Sequence, residues 1–272
     1  MPELPEVETI RRSLQPLLAG RVIKSILVRE TRLRRPVNVQ RLRKWIQGHA
    51  ITALNRRGKY LLWEMDNGSR LLIHLGMSGR LGYCAGQEAM EPHTHVCLCL
   101  DNGAQVRYRD PRRFGCVQAV APNERCGLLQ GLGPEPLSVE FTADYLYDGL
   151  RGSRRSVKAA LMDSRIVVGV GNIYANEALF HCGIAPQRPA GALSREEWKR
   201  VTESVIRVLR QAIRKGGTTL NDFRNGLGEP GFFQADLAVY DQENRPCRRC
   251  GRPIRRMVLQ GRSAFYCPAC QK

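Results

Sequence analysis

No apolar run in this 272-residue chain approaches the stretch of about 20 residues that a membrane-spanning helix needs, and no basic-then-apolar leader opens it. Neither membrane insertion nor export is expected, and the protein is expected in the cytoplasm. Acidic residues are scarce beside basic ones: 25 Asp plus Glu stand against 43 Lys plus Arg, a formal charge of +18. The excess runs along the chain and is not gathered in a tail, and a field of that sign and size favours a polyanionic partner, nucleic acid above all. Internal repeats and low-complexity segments are also missing. What remains is ordinary globular protein, long enough for two domains.

Cysteine is not scarce, at ten, but a chain of this length does not need a disulfide framework. Four of the ten, Cys247, Cys250, Cys267 and Cys270, fall in the spacing C-x2-C-x16-C-x2-C. Each pair on a tight turn offers two thiolates to one tetrahedral ion, and the intervening residues suffice for a β-hairpin. Zinc is favoured over an iron–sulfur cluster because the spacing is that of a ribbon or finger and nothing else suggests electron transfer. With all four positions taken by cysteine, one structural zinc ion is expected. The other six (Cys84, Cys97, Cys99, Cys116, Cys126, Cys182) are scattered and read as buried free thiols in a reducing compartment. Between the first and last zinc cysteine there is no acid, yet there are Arg248, Arg249, Arg252, Arg255, Arg256 and Arg262. Such an element suits a nucleic-acid groove or a phosphate backbone.

Apolar residues at Val7, Ile10, Leu14, Leu17 and Leu18, with Pro5 near the start and Gly20 past the end, predict a helix over 5–19. Short β-rich runs follow at 22–28, 60–65, 70–75, 95–100, 105–108 and 116–120. Asp66-Asn67-Gly68 and Asp101-Asn102-Gly103 sit between paired runs as hairpin turns. Many short strands with tight turns imply a two-sheet sandwich or barrel-like pair. The breaker-rich segment 131–137 reads as a linker. Beyond it, helices over 156–163 and 172–182 are joined by a glycine-bearing double turn. A third helix begins after Ser194, whose capping box is completed by Glu197 and whose staple is Leu193 against Trp198.

The chain opens Met1-Pro2-Glu3-Leu4-Pro5-Glu6-Val7-Glu8. Removal of an initiator methionine before a small residue leaves Pro2 first, a secondary amine beside two carboxylates. That is either a nucleophile with acid–base partners or an ordinary second proline before an acidic helix cap, and the opening alone favours the second.

Seven motifs taken together choose. The opening, Arg57-Gly58-Lys59-Tyr60, His74-Leu75-Gly76-Met77-Ser78-Gly79, Asp110-Pro111-Arg112-Arg113-Phe114-Gly115, Gly169-Val170-Gly171-Asn172-Ile173-Tyr174, Gly216-Gly217-Thr218-Thr219 and the four-cysteine segment resemble the bacterial formamidopyrimidine-DNA glycosylase family. The resemblance runs from one end of the chain to the other. It implies an α+β protein: an N-terminal β-sandwich catalytic domain over 1–131, a helix-two-turn-helix domain with a lesion-recognition loop over 132–240, and a zinc finger over 241–272. The implied partner is damaged double-stranded DNA, bound by a monomer.

The same resemblance implies roles. Pro2 attacks C1′ of the damaged nucleotide, Glu3 protonates the sugar ring oxygen, and Glu6 supports proton handling, with helix capping as its alternative. Lys59 and Arg262, grouped with these, and His74, Lys158 and Asn172 match positions that hold phosphates around the lesion. Asn172 also opens a helix, where backbone N–H groups favour anions. Met77, Arg112 and Phe114 match the residues that fill the gap left by a flipped nucleotide. The glycine-bearing stretch 218–240 resembles a loop that folds over the flipped base. Two departures stand out: Asp241-Gln242 replaces an expected glycine-containing turn, and Ser78 occupies a position that varies in the family between serine and glutamate. The competing readings are an endonuclease VIII-like enzyme for oxidised pyrimidines and a zinc-ribbon DNA-binding protein without catalysis.

Overall fold

The structure is a computed structural model and describes residues 2–86, 88–219 and 223–272. The chain divides into two compact units, one of residues 1–130 with 215–232 and one of 131–214 with 233–272. Among the described residues no helix is long and apolar enough to cross a membrane.

The first unit opens with helix α1 (Leu4–Leu18). Its Val7, Ile10, Leu14 and Leu18 are buried at 1% exposure or less, as their three- and four-residue spacing requires. Burial of four such side chains is worth roughly 1.5–3 kcal/mol each before conformational entropy is charged against it. They cover a core between two four-stranded antiparallel sheets. One sheet runs β1 (Ile23–Val28), β6 (Thr94–Leu100), β7 (Gln105–Arg109), β5 (Arg80–Cys84); the other runs β2 (Ile51–Arg57), β3 (Tyr60–Met65), β4 (Arg70–His74), β8 (Cys116–Val120). Both sheets feed one cluster that includes Ile26, Val96 and Val106 from the first and Leu54, Leu61, Trp63, Ile73 and Val117 from the second. The second sheet is apolar on its other face too, where Leu62, Leu72, Cys116 and Val120 lie under Leu128 and Leu129. That explains the continuous apolar runs of β3 and β4.

Helix α2 (Val39–Trp45) and strands β2 and β5 have no counterpart among the predicted elements. β2 carries Thr52, Asn55, Arg56 and Arg57 and buries only Ile51 and Leu54, so its two-residue alternation is faint.

In the second unit, α3 (Ala143–Gly149), α4 (Val157–Met162), α5 (Asn172–Cys182) and α6 (Arg195–Arg214) surround a core of Leu146, Leu161, Tyr174, Leu179, Trp198, Val205 and Leu209. The capping box of α6 forms: Glu197 N–H donates to Ser194 Oγ at 3.2 Å and Ser194 N–H to Glu197 Oε2 at 2.9 Å. Helix α5 ends on Gly183 with φ at +75°, the left-handed stop that glycine adopts without strain. The hairpin β9 (Arg255–Leu259) and β10 (Arg262–Tyr266) joins α5 through Asn176, whose Oδ1 accepts Phe265 N–H at 2.8 Å. Buried Glu177 accepts the backbone N–H groups of Ala238, Val239 and Tyr240 at 2.8–3.0 Å. Asp241 follows with φ at +59°. The turn thus adopts the backbone a glycine would, with aspartate in a conformation it tolerates better than most residues.

Candidate active site

Pro2 is buried and Glu3 is 2% exposed. Glu3 has extended backbone as the N-cap of α1, and its N–H donates to Glu6 Oε2 at 2.8 Å. The other oxygen of Glu6 accepts Thr218 N–H, also at 2.8 Å. Glu6 is therefore both the cap of α1 and its tether to the 218 segment of the same unit. Gly217 makes this approach possible: it has φ at +81°, and a Cβ there would sit 2.9 Å from Glu6 Oε1. Two residues beyond Glu6, Glu8 accepts hydrogen bonds from Arg11, Arg12 and Arg56. Burial alone would raise its pKa, but those guanidinium groups hold it at about 2, so the carboxylate is charged at neutral pH.

Lys59 occupies the two-residue turn between β2 and β3 with Gly58, whose φ is +55°. The neighbouring strand β4 ends at His74, whose ring packs tilted at 48° with its centroid 4.8 Å from that of Tyr60, and whose Nδ1 accepts Gly76 N–H at 3.0 Å. Burial, followed by the charges of Lys59 and Arg34, pushes the His74 pKa down to about 4. The ring is thus neutral, and with Nδ1 accepting, its proton is on Nε2, a donor suited to a phosphate oxygen. His74, Tyr60 and Phe114 line a groove of about 400 Å³ with Arg34 and Arg35.

Met77 and Phe114 are exposed apolar residues, and the Arg112 guanidinium lies 4.9 Å from the Phe114 ring centroid. Their loops are tied by Asp110, which has no exposed surface. Its carboxylate accepts from Ser78 Oγ at 2.6 Å, Tyr108 OH at 3.1 Å and Gly115 N–H at 2.9 Å, while Ser78 Oγ accepts Arg112 N–H at 3.2 Å. Ser78 thereby bridges the two loops. The backbones pass so closely that a Cβ on Gly76 would meet the Phe114 carbonyl carbon at 2.4 Å. Sequence reasoning quoted Asp110 within a motif but gave it no role; a lone acid in a loop between basic residues is the only hint. Asp110→Ala takes the acceptor from three donors, of which Tyr108 OH keeps the His74 carbonyl at 3.4 Å; two unmatched donors at about 1–3 kcal/mol each give an expected stability loss of roughly 2–6 kcal/mol in denaturant titration.

In the second unit Lys158 is 1% exposed, and its Nζ donates to the Ser263 carbonyl at 2.6 Å. It lines a groove of about 300 Å³ with Arg155 and Arg262. Arg262 follows the Gln260-Gly261 turn, where both residues have positive φ, so it stands exposed at the hairpin tip. Asn172 is the first residue of α5; its carbonyl accepts from Asn176 Nδ2 at 2.6 Å, while its own buried Oδ1 has no partner among the described residues.

The four zinc-spaced cysteines place their sulfurs within 4.8 Å of one another. Cys247 and Cys270 are 3.9 Å apart and Cys250 and Cys267 3.4 Å. Tetrahedral zinc with bonds of about 2.3 Å sets sulfurs about 3.8 Å apart. The cluster fits one zinc ion, with Arg249 N–H directed at Cys247 Sγ from 3.4 Å. Cys267→Ser is expected to lose stoichiometric zinc, read by atomic absorption, and with it the order of the hairpin, read by proteolysis.

A family model described as the formamidopyrimidine-DNA glycosylase N-terminal domain matches residues 1–117, the H2TH domain model of the same family matches 132–224, and a zinc finger found in FPG and IleRS matches 245–272. The formamidopyrimidine-DNA glycosylase of Methylococcus capsulatus is 49% identical over 273 residues, with both chains covered in full. The crystal structure of the MutM (FPG) protein of Thermus thermophilus aligns with a TM-score of 0.89 at 42% identity, covering 99% of this chain and 98% of that one. A Lactococcus lactis FPG mutant in complex with a Fapy-dG containing DNA aligns over the whole of both chains, with a TM-score of 0.93 and 32% identity.

Proposed function

Since this chain belongs to the formamidopyrimidine-DNA glycosylase family, we propose that it removes 8-oxoguanine and formamidopyrimidines from double-stranded DNA in base excision repair, and then cuts the strand. The observation that carries the mechanism is the buried Pro2-Glu3 pair at the tip of α1, held by Glu6. An N-terminal amine has an unperturbed pKa near about 7.7–8.0, so a useful fraction is neutral at cellular pH. Once Met1 is removed, the neutral Pro2 nitrogen bonds to C1′ as the bond from C1′ to the base breaks, and the proton that the nitrogen gives up passes to the departing base. Glu3 delivers a proton to the ring oxygen, which opens the sugar. The product is an iminium with no N–H proton to lose, so it stays cationic and acidifies C2′. Loss of that proton expels the 3′ phosphate, and a second elimination expels the 5′ phosphate.

The other residues serve this step by holding DNA. Lys59, His74, Lys158, Asn172 and Arg262 are assigned to the phosphates that flank the extruded nucleotide. His74 acts as a neutral donor. Met77 and Phe114 fill the gap in the stack, and Arg112 donates to the widowed cytosine. Arg112→Ala is expected to reduce the preference for cytosine opposite the lesion by about 1–3 kcal/mol, measured as kcat/KM ratios across the four opposite bases. The stretch 218–240 is assigned to the flipped base; of it, Leu220, Asn221 and Asp222 lie outside the described residues. The protein is taken to act as a monomer in the cytoplasm, with one structural zinc ion.

The test is product analysis on an end-labelled 8-oxoguanine:cytosine duplex. Phosphate on both sides of a one-nucleotide gap is expected. Faster cutting at thymine glycol than at 8-oxoguanine would instead assign the protein to oxidised pyrimidines.

A further inference from the structure

The exposed face of α6 changes character along its length. Both arginines of its first half are matched by acids: Arg195 pairs with Asp144 at 2.5 Å, and Arg200 lies 3.8 Å from Glu197. Its second half presents Arg207, Arg210 and Arg214 to solvent, and among the described residues none of the three has an ion pair. Arg207 only reaches Ser204 Oγ, at 3.4 Å. The three lie on one helix face by their spacing of three and four residues. Like charges so placed repel one another and oppose the helix.

These arginines rim a surface concavity of about 390 Å³, whose floor is Ile206 and whose N-terminal end is Glu203. Ile206 is half-buried against the core of its unit. A rim of unmatched guanidinium groups around an aliphatic floor suits a ligand with carboxylates and an apolar side chain between them. From Arg207 to Arg214 the helix rises about 10 Å, and alternate residues of an extended peptide are about 6.6 Å apart, so two alternating carboxylates match the row. Duplex DNA is matched less well. The phosphates of a strand repeat at a similar spacing, but a phosphate backbone has no use for Ile206.

We propose that the second half of α6 is a docking site for an extended acidic peptide with interleaved apolar residues, carried by a partner protein. No group that the glycosylase mechanism uses belongs to it.

The test is fluorescence anisotropy of a labelled peptide of about eight alternating aspartate and leucine residues, against the wild-type chain, Arg207→Glu/Arg210→Glu and the milder Arg210→Ala/Arg214→Ala. Excision of 8-oxoguanine by each variant serves as the folding check. Saturable binding that weakens at least tenfold in the charge-reversed variant and severalfold in the alanine variant, with excision unchanged, is the expected result. Binding should also weaken at least tenfold when the leucines are replaced by serine. Equal affinity for all three proteins would overturn the proposal, because the peptide would then occupy basic surface elsewhere. Equal affinity for the serine peptide would overturn it as well, since charge alone would explain the binding. A third contradicting outcome is loss of lesion-free duplex affinity in the variants with no change in peptide affinity, which would make the stripe a DNA contact.

Discussion

Glu3→Gln is expected to lose excision of 8-oxoguanine while keeping much of its ability to cut a preformed abasic site. Glu3 is the acid assigned to the ring oxygen, and general acid catalysis is worth typically about 10²–10⁴-fold. An abasic sugar already opens to an aldehyde in solution, so Pro2 meets an electrophile there without help from Glu3. The substitution conserves shape at a buried position, and the bond from its backbone N–H to Glu6 Oε2 does not depend on the side chain. Single-turnover rates on the two substrates separate the roles. Equal losses on both would mean that Glu3 shapes the site and does not deliver a proton.

The second large effect concerns the amine itself. A chain that keeps Met1, or whose Pro2 nitrogen is acetylated, has no nucleophile and is expected to lose both base excision and strand cutting by a factor on the order of 10⁴–10⁶. Its affinity for lesion DNA should change little, because the phosphate contacts assigned to Lys59, His74, Lys158, Asn172 and Arg262 do not involve the amine. A titration of binding beside a rate measurement, on protein whose N-terminus has been checked by mass spectrometry, distinguishes this from misfolding. Parallel loss of affinity and rate would instead give the N-terminus a structural role.

Much of this was legible in the sequence where the signals are local. Helix α5 coincides with its predicted span because an unbroken run lies between two glycines. The start of α6 follows from Ser194 and Glu197, whose capping box needs only four consecutive residues. Helix α2 was illegible because Leu42 is its only fully buried residue, which leaves no periodic face to read. Strand β5 holds Gly82 and buries only Leu81.

The site divides in the same way. The types of its residues can be read from motifs, but the bonds that position them join residues far apart in sequence. Glu6 meets Thr218 across 212 positions, Gly226 N–H donates to Ser13 Oγ across 213, and Lys158 reaches Ser263 across 105. No period or spacing encodes such pairs. The sequence offered Glu6 two roles, and only the geometry exposes the two hydrogen bonds that its carboxylate accepts from backbone N–H groups. Asp110 illustrates the same limit: its importance lies in three donors that converge from three separate segments.

The central claim is that the Pro2 nitrogen becomes covalently bonded to the damaged sugar. Borohydride reduction during turnover on an 8-oxoguanine:cytosine duplex, followed by mass spectrometry of the cross-linked peptide, tests it directly. The expected result is a stable protein–DNA adduct that maps to Pro2 at the N-terminus. An adduct on a lysine, or none from a chain proven to begin at Pro2, would contradict the account.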